Sequence, residues 1–240
     1  MRSNCKTWGD HIEELRHRIW LCLGATLVCL PLMWPFSQPL IGWIWHIGRP
    51  TEGSMMVYTQ PMELFFLRLK LSLILCIGIL SPLLIWHIIA YISPALYRHE
   101  RRIVCLLCGF SLLLFAGGAL LALFCIFPAL MKFSYDLQME AVAPMLTVSS
   151  CIGLALMLML GFGVCFQLPV VLLLLVALGI LSPRILRNMR PYIIVGIFII
   201  AGLLTPPDVV SQLMMAIPTW LLFEISIIIA YHVNPLIATN

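Results

Sequence analysis

Long apolar runs separated by short polar stretches make up nearly all of the chain. A helix needs about 20 mostly apolar residues to cross the hydrocarbon core of a bilayer, and the chain contains six apolar segments, one of them shorter than this. The pattern predicts an all-α polytopic membrane protein, in which residues 1–240 form one membrane domain with six transmembrane helices. The predicted spans cover about residues 19–36, 64–92, 103–131, 151–181, 192–204 and 213–231.

Prolines are expected to shape several spans, because proline lacks the N–H group that a helix interior needs. Pro31 and Pro35 are expected to bend or end the first span on its far side, and Pro82 should kink the second. The fourth span is long enough to tilt or kink around Pro169. The fifth, 192–204, is short for a bilayer crossing, so local thinning of the membrane or cover by the rest of the protein is expected.

Residues 37–63 combine prolines, glycines and tryptophans, and this mixture predicts an outer loop between the first two spans. Trp43 and Trp45 are suited to the aromatic belt at the membrane–water interface. Arg68 and Lys70 lie near the start of the second span, and their long side chains should extend outward to the interface.

Composition and charge support the membrane assignment and orient the chain. Hydrophobic residues make up 62% of the sequence and the mean hydropathy is +1.06, while charged residues make up 10%, against roughly 25% in soluble domains. Ten of the 14 Lys and Arg residues lie before the first span or in the second-to-third and fourth-to-fifth loops. The positive-inside rule therefore places both termini in the cytoplasm, or in the matrix or stroma of an organelle. The net charge of +4 is too mild to indicate a nucleic-acid partner.

The sequence contains none of the common motifs of catalysis. There is no Walker-type nucleotide loop, no Gly-x-Ser-x-Gly and no His-Glu-x-x-His, so we expect no enzyme activity, no cofactor and no metal. Cys105 and Cys108 have the spacing of a redox or metal motif, although cysteine also serves as a small apolar residue in buried helices. A membrane redox enzyme using this pair is one alternative. A small-molecule secondary transporter is another, but that class favours inverted repeats, and the sequence shows no such symmetry.

Glu100 is the one carboxylate in a dense group of charges next to the membrane. Arg98, Arg101 and Arg102 surround it in sequence. On a helix, however, a side chain shares its face with residues three and four positions away, and at those positions Glu100 has only apolar or aromatic neighbours. The carboxylate is thus open to an arginine of another chain. The alternative is a solvated loop with surface ion pairs worth about 0–1 kcal/mol.

Glu14 offers a second carboxylate in a similar position. Asp10 and Glu13 have the spacing of a capping box, so a helix is expected to begin near His11 and to bring Glu14 to the mouth of the first span. The alternative is a pair between Glu14 and Arg18, four residues later, which is worth roughly 0.2–0.5 kcal/mol.

Polar side chains inside the apolar spans are a further signal. Glu224 in the sixth span is the clearest, because a carboxylate at the bilayer centre costs about 2.5–3.5 kcal/mol to insert. It either extends towards an interface or faces a polar cavity or a partner helix. Gln167 in the fourth span and Gln212 at the start of the sixth are milder signals of the same kind.

Several of these residues belong to longer motifs, which occur in a set order. The motifs are His11-Ile-Glu-Glu-Leu-Arg16, Pro94-Ala-Leu-Tyr97-Arg-His-Glu100-Arg101-Arg102, and residues 162–170, 190–192, 204–212, 216–218 and 223–224. Together they resemble the TatC family, the multi-span subunit of the twin-arginine protein translocase. The sequence departs from the family pattern at Gln167, where the family usually has Glu. A glutamine keeps the hydrogen bonding but cannot ionise.

The resemblance implies a subunit that recognises twin-arginine signal peptides and nucleates transport of folded proteins, driven by the proton-motive force. Glu14 and Glu100 would receive the two arginines, since a guanidinium binds a carboxylate through two parallel hydrogen bonds and lysine cannot. The residues implied at this signal-peptide site are Glu14, Leu15, Arg16, Pro94, Leu96, Tyr97, Glu100 and Arg101.

The resemblance also implies partners and a membrane. The partners are twin-arginine precursor proteins, single-span subunits of the A and B type, the lipid bilayer and further copies of the chain in an oligomer. The membrane is a bacterial plasma membrane or the inner membrane of a mitochondrion or plastid; abundant cysteine and scarce lysine favour the mitochondrion. A polar intramembrane site for the single-span subunits is implied at Gln167, Thr205, Asp208, Gln212 and Glu224.

Overall fold

The computed structural model describes residues 8–48, 60–92, 100–136, 147–204 and 209–238, and of residues 8–12, 14, 15, 89–92, 100–105, 136 and 233–238 it describes the backbone alone. Within these ranges the chain forms nine α-helices and one short π-helix. The α-helices are α1 (Trp8–Gly48), α2 (Glu63–Ile92), α3 (Glu100–Leu121), α4 (Phe127–Asp136), α5 (Val148–Cys165), α6 (Leu168–Ala177), α7 (Pro183–Asn188), α8 (Arg190–Leu204) and α9 (Val209–Ala238).

These helices build six membrane spans, and the predicted all-α class is confirmed. Five segments are long and apolar enough to cross a bilayer: Arg16–Gly48, Glu63–Ile88, Leu106–Tyr135, Val148–Ala177 and Val209–His232. The shorter apolar helix Arg190–Leu204 supplies the fifth crossing in chain order. The third span combines α3, the π-helix and α4, and the fourth combines α5 and α6.

The first span is longer than predicted, because α1 continues through Pro31, Pro35 and Pro39 to Gly48. Of the two predicted effects of Pro31 and Pro35, a bend or an end, the end was therefore wrong, as was the loop assignment for residues 37–48. Each proline removes one backbone hydrogen bond, but a chain surrounded by lipid finds no water to replace the others if the helix unwinds. Helix continuation is thus the less costly choice.

Two spans are interrupted where proline removes a helical hydrogen bond. The π-helix Ala122–Ile126 lies just before Pro128, whose missing N–H already breaks the α-helical pattern. In the fourth span α5 ends at Cys165 and α6 begins at Leu168, so the break falls just before Pro169, as the sequence predicts. The sequence did not predict the π-helix, nor α7 within the basic loop between the fourth and fifth spans.

The core is closely packed where one aromatic ring lies against two glycines. Phe115 of α3 is 5% exposed. A Cβ atom added to Gly78 of α2 would lie 2.8 Å from its ring, and one added to Gly163 of α5 would lie 2.7 Å from it. Gly118 of α3 faces backbone in the same way, 2.6 Å from the carbonyl oxygen of Phe162. Small residues let helix backbones approach each other, so these glycines allow α2, α3 and α5 to pack around Phe115.

A buried carboxylate joins α2 to α5 at the membrane face opposite the N-terminus. Glu63, the first residue of α2, is 7% exposed, and its Oε1 accepts a hydrogen bond from the backbone N–H of Ser149 in the first turn of α5. Thr147 caps the same helix by accepting from the N–H of Ser150 at 3.3 Å. A negative charge at a helix N-terminus is favourable. The bond from Ser149 to Glu63 therefore fixes the start of α2 beside the start of α5.

Gly163→Ala should destabilise the protein through Phe115. The new methyl group would collide with the ring, and overpacking of this kind costs about 1–3 kcal/mol, more than the gain of up to about 1 kcal/mol in helix propensity. Gly153→Ala is the matched control in the same helix, because its Cβ would meet no atom within 4 Å. We expect a lower thermal unfolding midpoint in detergent for the first variant and an unchanged or higher one for the second. Equal midpoints would contradict the close packing around Phe115.

Candidate functional site

The two residues predicted to bind a signal peptide, Glu14 and Glu100, lie in helix segments at the same membrane face. Glu14 is in α1, ahead of the apolar part that begins near Arg16. The chain crosses the membrane in α1, returns in α2, and begins α3 at Glu100. Both carboxylate positions are therefore at the membrane face that holds the N-terminus.

The surroundings of this site are described in part. Arg16 is exposed and pairs with Glu13 at 3.3 Å. Leu15 lies in α1 and Arg101 in the first turn of α3. Pro94, Leu96 and Tyr97 lie outside the described residues, so their roles stay predictions.

A long-range contact holds the two helices that lead into this site. The Arg18 guanidinium on α1 donates a hydrogen bond from Nη1 to the backbone carbonyl of His87 on α2, at 3.4 Å. Both ring nitrogens of His87 are buried and make no hydrogen bond within the described part of the chain. The two residues are 69 positions apart in sequence, so no local sequence pattern predicts this contact.

Glu224, the clearest intramembrane candidate, forms an ion pair within the chain. Its Oε2 accepts a hydrogen bond from Arg190 Nη2 at 2.6 Å, with the carboxylate side chain 22% exposed and the arginine side chain 38% exposed. Arg190 begins α8 on the side of the basic loops. The Glu224 side chain thus has a charge partner at the N-terminal side of the membrane, and the pair links the start of the short fifth span to α9.

Gln167 lies at the break between α5 and α6 and contacts the third span. Its Nε2 donates a hydrogen bond to the backbone carbonyl of Ser111 at 2.9 Å. The hydroxyl of Ser111 in turn donates to the carbonyl of Cys108 at 2.6 Å. Gln167 Oε1 is buried and accepts no hydrogen bond from a described residue. Position 167 therefore supplies a donor to α3 and leaves one acceptor unsatisfied in the membrane interior.

Gln212 occupies a different environment, between α8 and α9. Its Nε2 donates to the backbone carbonyl of Phe198 at 2.9 Å, and a Cβ atom on Gly202 would lie 3.1 Å from that nitrogen. On the same two helices an apolar groove of about 180 Å³ is lined by Ile194, Ile197, Phe198, Ala216, Ile217 and Trp220.

The residues that the sequence grouped as one polar site make different contacts. Gln212 and Glu224 are twelve positions apart on α9, which corresponds to about 18 Å along the helix axis at 1.5 Å per residue. Gln167 is hydrogen-bonded to α3. Thr205 and Asp208 lie outside the described residues. Gln212 bonds to Phe198, which lines the apolar groove, and Glu224 lies one turn after Trp220, which also lines it, so a shared partner-subunit site stays a prediction.

The described residues show no metal site, since no three of their His, Cys, Asp and Glu side chains come close enough to hold an ion. Cys108 is buried, forms no disulfide with a described residue, and packs with Ile85, Val170 and Leu174. The side chain of Cys105 is outside the description, so the redox alternative stays untested.

Comparison with known proteins gives consistent matches. The family model of the Sec-independent protein translocase protein (TatC) matches residues 10–218. The chain is 37% identical over 223 residues to the TatC protein of Escherichia coli K12, covering 90% of this chain and 85% of that protein. It is 38% identical over 231 residues to the TatC protein of Haemophilus influenzae, covering 94% and 89%. A crystal structure of the twin arginine translocase receptor TatC in the detergent DDM superimposes with a TM-score of 0.81 at 34% identity, covering 92% of this chain and 99% of that chain.

The Arg190–Glu224 pair should be detectable as a coupling energy. Because Arg190 is more than a third exposed, we expect a coupling of about 1 kcal/mol in a double-mutant cycle with Arg190→Gln and Glu224→Gln. Arg184→Gln, at an exposed position of neighbouring α7, is the control and should show no coupling to Glu224. Unfolding free energies from denaturant titration give the cycle. Additive effects of the two Gln substitutions would contradict a stabilising pair.

Proposed function

Since this chain belongs to the TatC family of Sec-independent protein translocase proteins, we propose that it receives twin-arginine signal peptides at the membrane face that holds its N-terminus. The observation that carries this proposal is the position of Glu14 and Glu100. They belong to different helices, yet the path of α1, α2 and α3 brings both to the same membrane face. Two carboxylates on one face match the two guanidinium groups of the signal.

The chemistry of this pairing explains why two arginines are needed. A guanidinium presents parallel N–H groups that bind both oxygens of a carboxylate, whereas a lysine ammonium is a point charge without this fork. Leu15, Arg16, Pro94, Leu96, Tyr97 and Arg101 complete the proposed site. The apolar part of the signal then lies along the membrane spans, where the solvent is lipid.

The α8–α9 surface is the proposed site for single-span partner subunits of the A and B type. Support comes from the apolar groove, which a helix of lipid-facing side chains can enter, and from Gln212 beside it. Thr205 and Asp208, between α8 and α9 in sequence, would extend its polar part. Glu224 supports this surface indirectly, because its pair with Arg190 holds α8 against α9.

We further propose that the chain works as a non-enzymatic translocase subunit, in an oligomer and in an energy-transducing membrane that supplies the proton-motive force. The reported relatives are bacterial, which favours a bacterial plasma membrane. Cysteine and lysine usage pointed towards a mitochondrion, but these relatives lend that location no support. Neither the transporter nor the redox alternative gains support from the described geometry.

Glu100→Gln should weaken binding of an Arg-Arg precursor strongly. The variant keeps the size but loses the charge and the paired acceptor, and a charged hydrogen bond is worth about 1.5–3 kcal/mol, which is about ten- to a hundredfold in affinity. Binding of a Lys-Lys precursor should change much less. The measurement is precursor affinity for the detergent-solubilised protein, read as a double-mutant cycle.

Glu13→Gln is the control for this experiment, because Glu13 lies on the same face but is exposed and paired with Arg16. It should leave the affinity for both precursors within about twofold, as expected of a surface pair. If Glu100→Gln and the lysine substitutions prove additive, Glu100 does not touch the signal arginines.

Substitutions of Gln167 should separate transport from stability. Gln167→Glu in its neutral form can still donate to the Ser111 carbonyl, so export of a twin-arginine reporter should stay largely intact. Gln167→Leu should reduce export. Because this substitution removes the bonded donor and the unsatisfied acceptor together, the unfolding free energy of the variant should differ from that of the wild type by less than about 1 kcal/mol. Wild-type export by the leucine variant would show that position 167 only fills space.

A further inference from the structure

Arg68 is a charged residue that α1 holds in a fixed orientation. It lies in the second turn of α2, and its Nε donates a hydrogen bond to Ser37 Oγ of α1 at 3.1 Å. Ser37 is fully buried, and its hydroxyl donates to the backbone carbonyl of Trp34 at 2.6 Å. The sequence predicted that the Arg68 side chain extends outward to the interface; it did not predict that the guanidinium is also anchored through Ser37 to the proline-containing part of α1.

An aromatic cluster fixes the plane of this guanidinium. Arg68 Cζ lies 4.8 Å from the centroid of the Trp34 ring, a cation–π contact. Trp34 contacts Phe65 at 5.5 Å between ring centroids, and Phe65 contacts Phe66 at 5.7 Å. Phe65 and Phe66 are about half exposed, at 48% and 55%. The charge is thus surrounded by an aromatic surface that faces out of the protein.

The position near the start of α2 places this cluster close to the headgroup level. Arg68 follows Glu63, the first residue of α2, by five residues, about 7.5 Å along the helix axis, and a long side chain at this depth extends to the interface. The start of α2 is at the face opposite the N-terminus, so Arg68 lies near that face. Aromatic side chains concentrate at this level in membrane proteins.

The outer edge of the guanidinium has no acceptor in the part of the chain that the structure describes. Arg68 belongs to neither the Arg16–Glu13 pair nor the Arg190–Glu224 pair. Glu63, one turn earlier on α2, is occupied by the backbone of Ser149. With Nε used by Ser37, the Nη1 and Nη2 groups present a fork of N–H donors to the membrane surface.

We infer that this fork binds the phosphate of a phospholipid in the leaflet opposite the N-terminus. The planar guanidinium matches two phosphate oxygens, and its orientation by Ser37 and Trp34 means that little side-chain freedom is lost on binding. The exposed rings of Phe65 and Phe66 favour a phosphate that carries acyl chains over a soluble one. Such a lipid would fix the α1–α2 pair to that leaflet, independently of the signal-peptide site.

Lipid titration of the purified, delipidated protein tests this inference. Phosphatidylglycerol is added in detergent, and bound lipid is counted by native mass spectrometry. Arg68→Gln should weaken the tightest lipid-binding event about ten- to a hundredfold, as expected for charged hydrogen bonds. Lys70→Gln is the matched control, because it removes the same charge two residues away at an exposed position and should change that event by less than twofold. Equal losses in both variants would show unspecific attraction and overturn the inference.

Competition experiments and a second variant distinguish the possible ligands and control for misfolding. A galactolipid with the same acyl chains and free glycerol phosphate should both fail to compete; competition by either would overturn the assignment to a phospholipid phosphate. Ser37→Ala keeps the charge and loses the Nε acceptor, so it should weaken binding several-fold at an unchanged unfolding midpoint.

Discussion

The absence of water in the bilayer interior is the constraint on which this structure depends. Every backbone N–H and C=O in that region needs a partner within the protein, so the chain stays helical even where proline removes a bond. The continuous α1, with three prolines inside it, follows from this constraint. The described spans depart from α-helix in two places, the π-helix before Pro128 and the break before Pro169. Each of these irregular segments is only a few residues long.

The same constraint makes several polar side chains in the spans connections between helices. Gln167 bonds to the backbone of α3, Gln212 to the backbone of α8, and Glu63 to the first turn of α5. Glu224 meets its charge partner on α8. Because apolar side chains are equally well solvated by lipid, packing of small residues and these polar contacts determine which helices lie together. The ring of Phe115 between two glycines is the clearest packing contact of this kind.

The proposed recognition of a signal peptide takes place where this constraint ends. At the membrane face that holds the N-terminus, neighbouring lipid and protein would strengthen the pairing of a carboxylate with a guanidinium. The helices that carry Glu14 and Glu100 are joined to α2 by long-range contacts such as Arg18 to the carbonyl of His87. Helices held in this way would present two carboxylates, as the proposed discrimination between paired arginines and ordinary basic residues requires.

The sequence by itself determined the number of spans, the all-α class, the break near Pro169 and the candidate carboxylates, because hydrophobic length, proline position and charge act locally along the chain. Its motifs also identified the family. Only the tertiary structure decided that Glu224 is paired with Arg190, that Gln167 and Gln212 serve different helices, and that Arg68 is held by Ser37 and Trp34. The members of these contacts are separated by 34, 56, 14 and 31 residues in sequence. A hydrogen-bond partner depends on which helices pack side by side, and the periodicity of a single span carries no information about its neighbours.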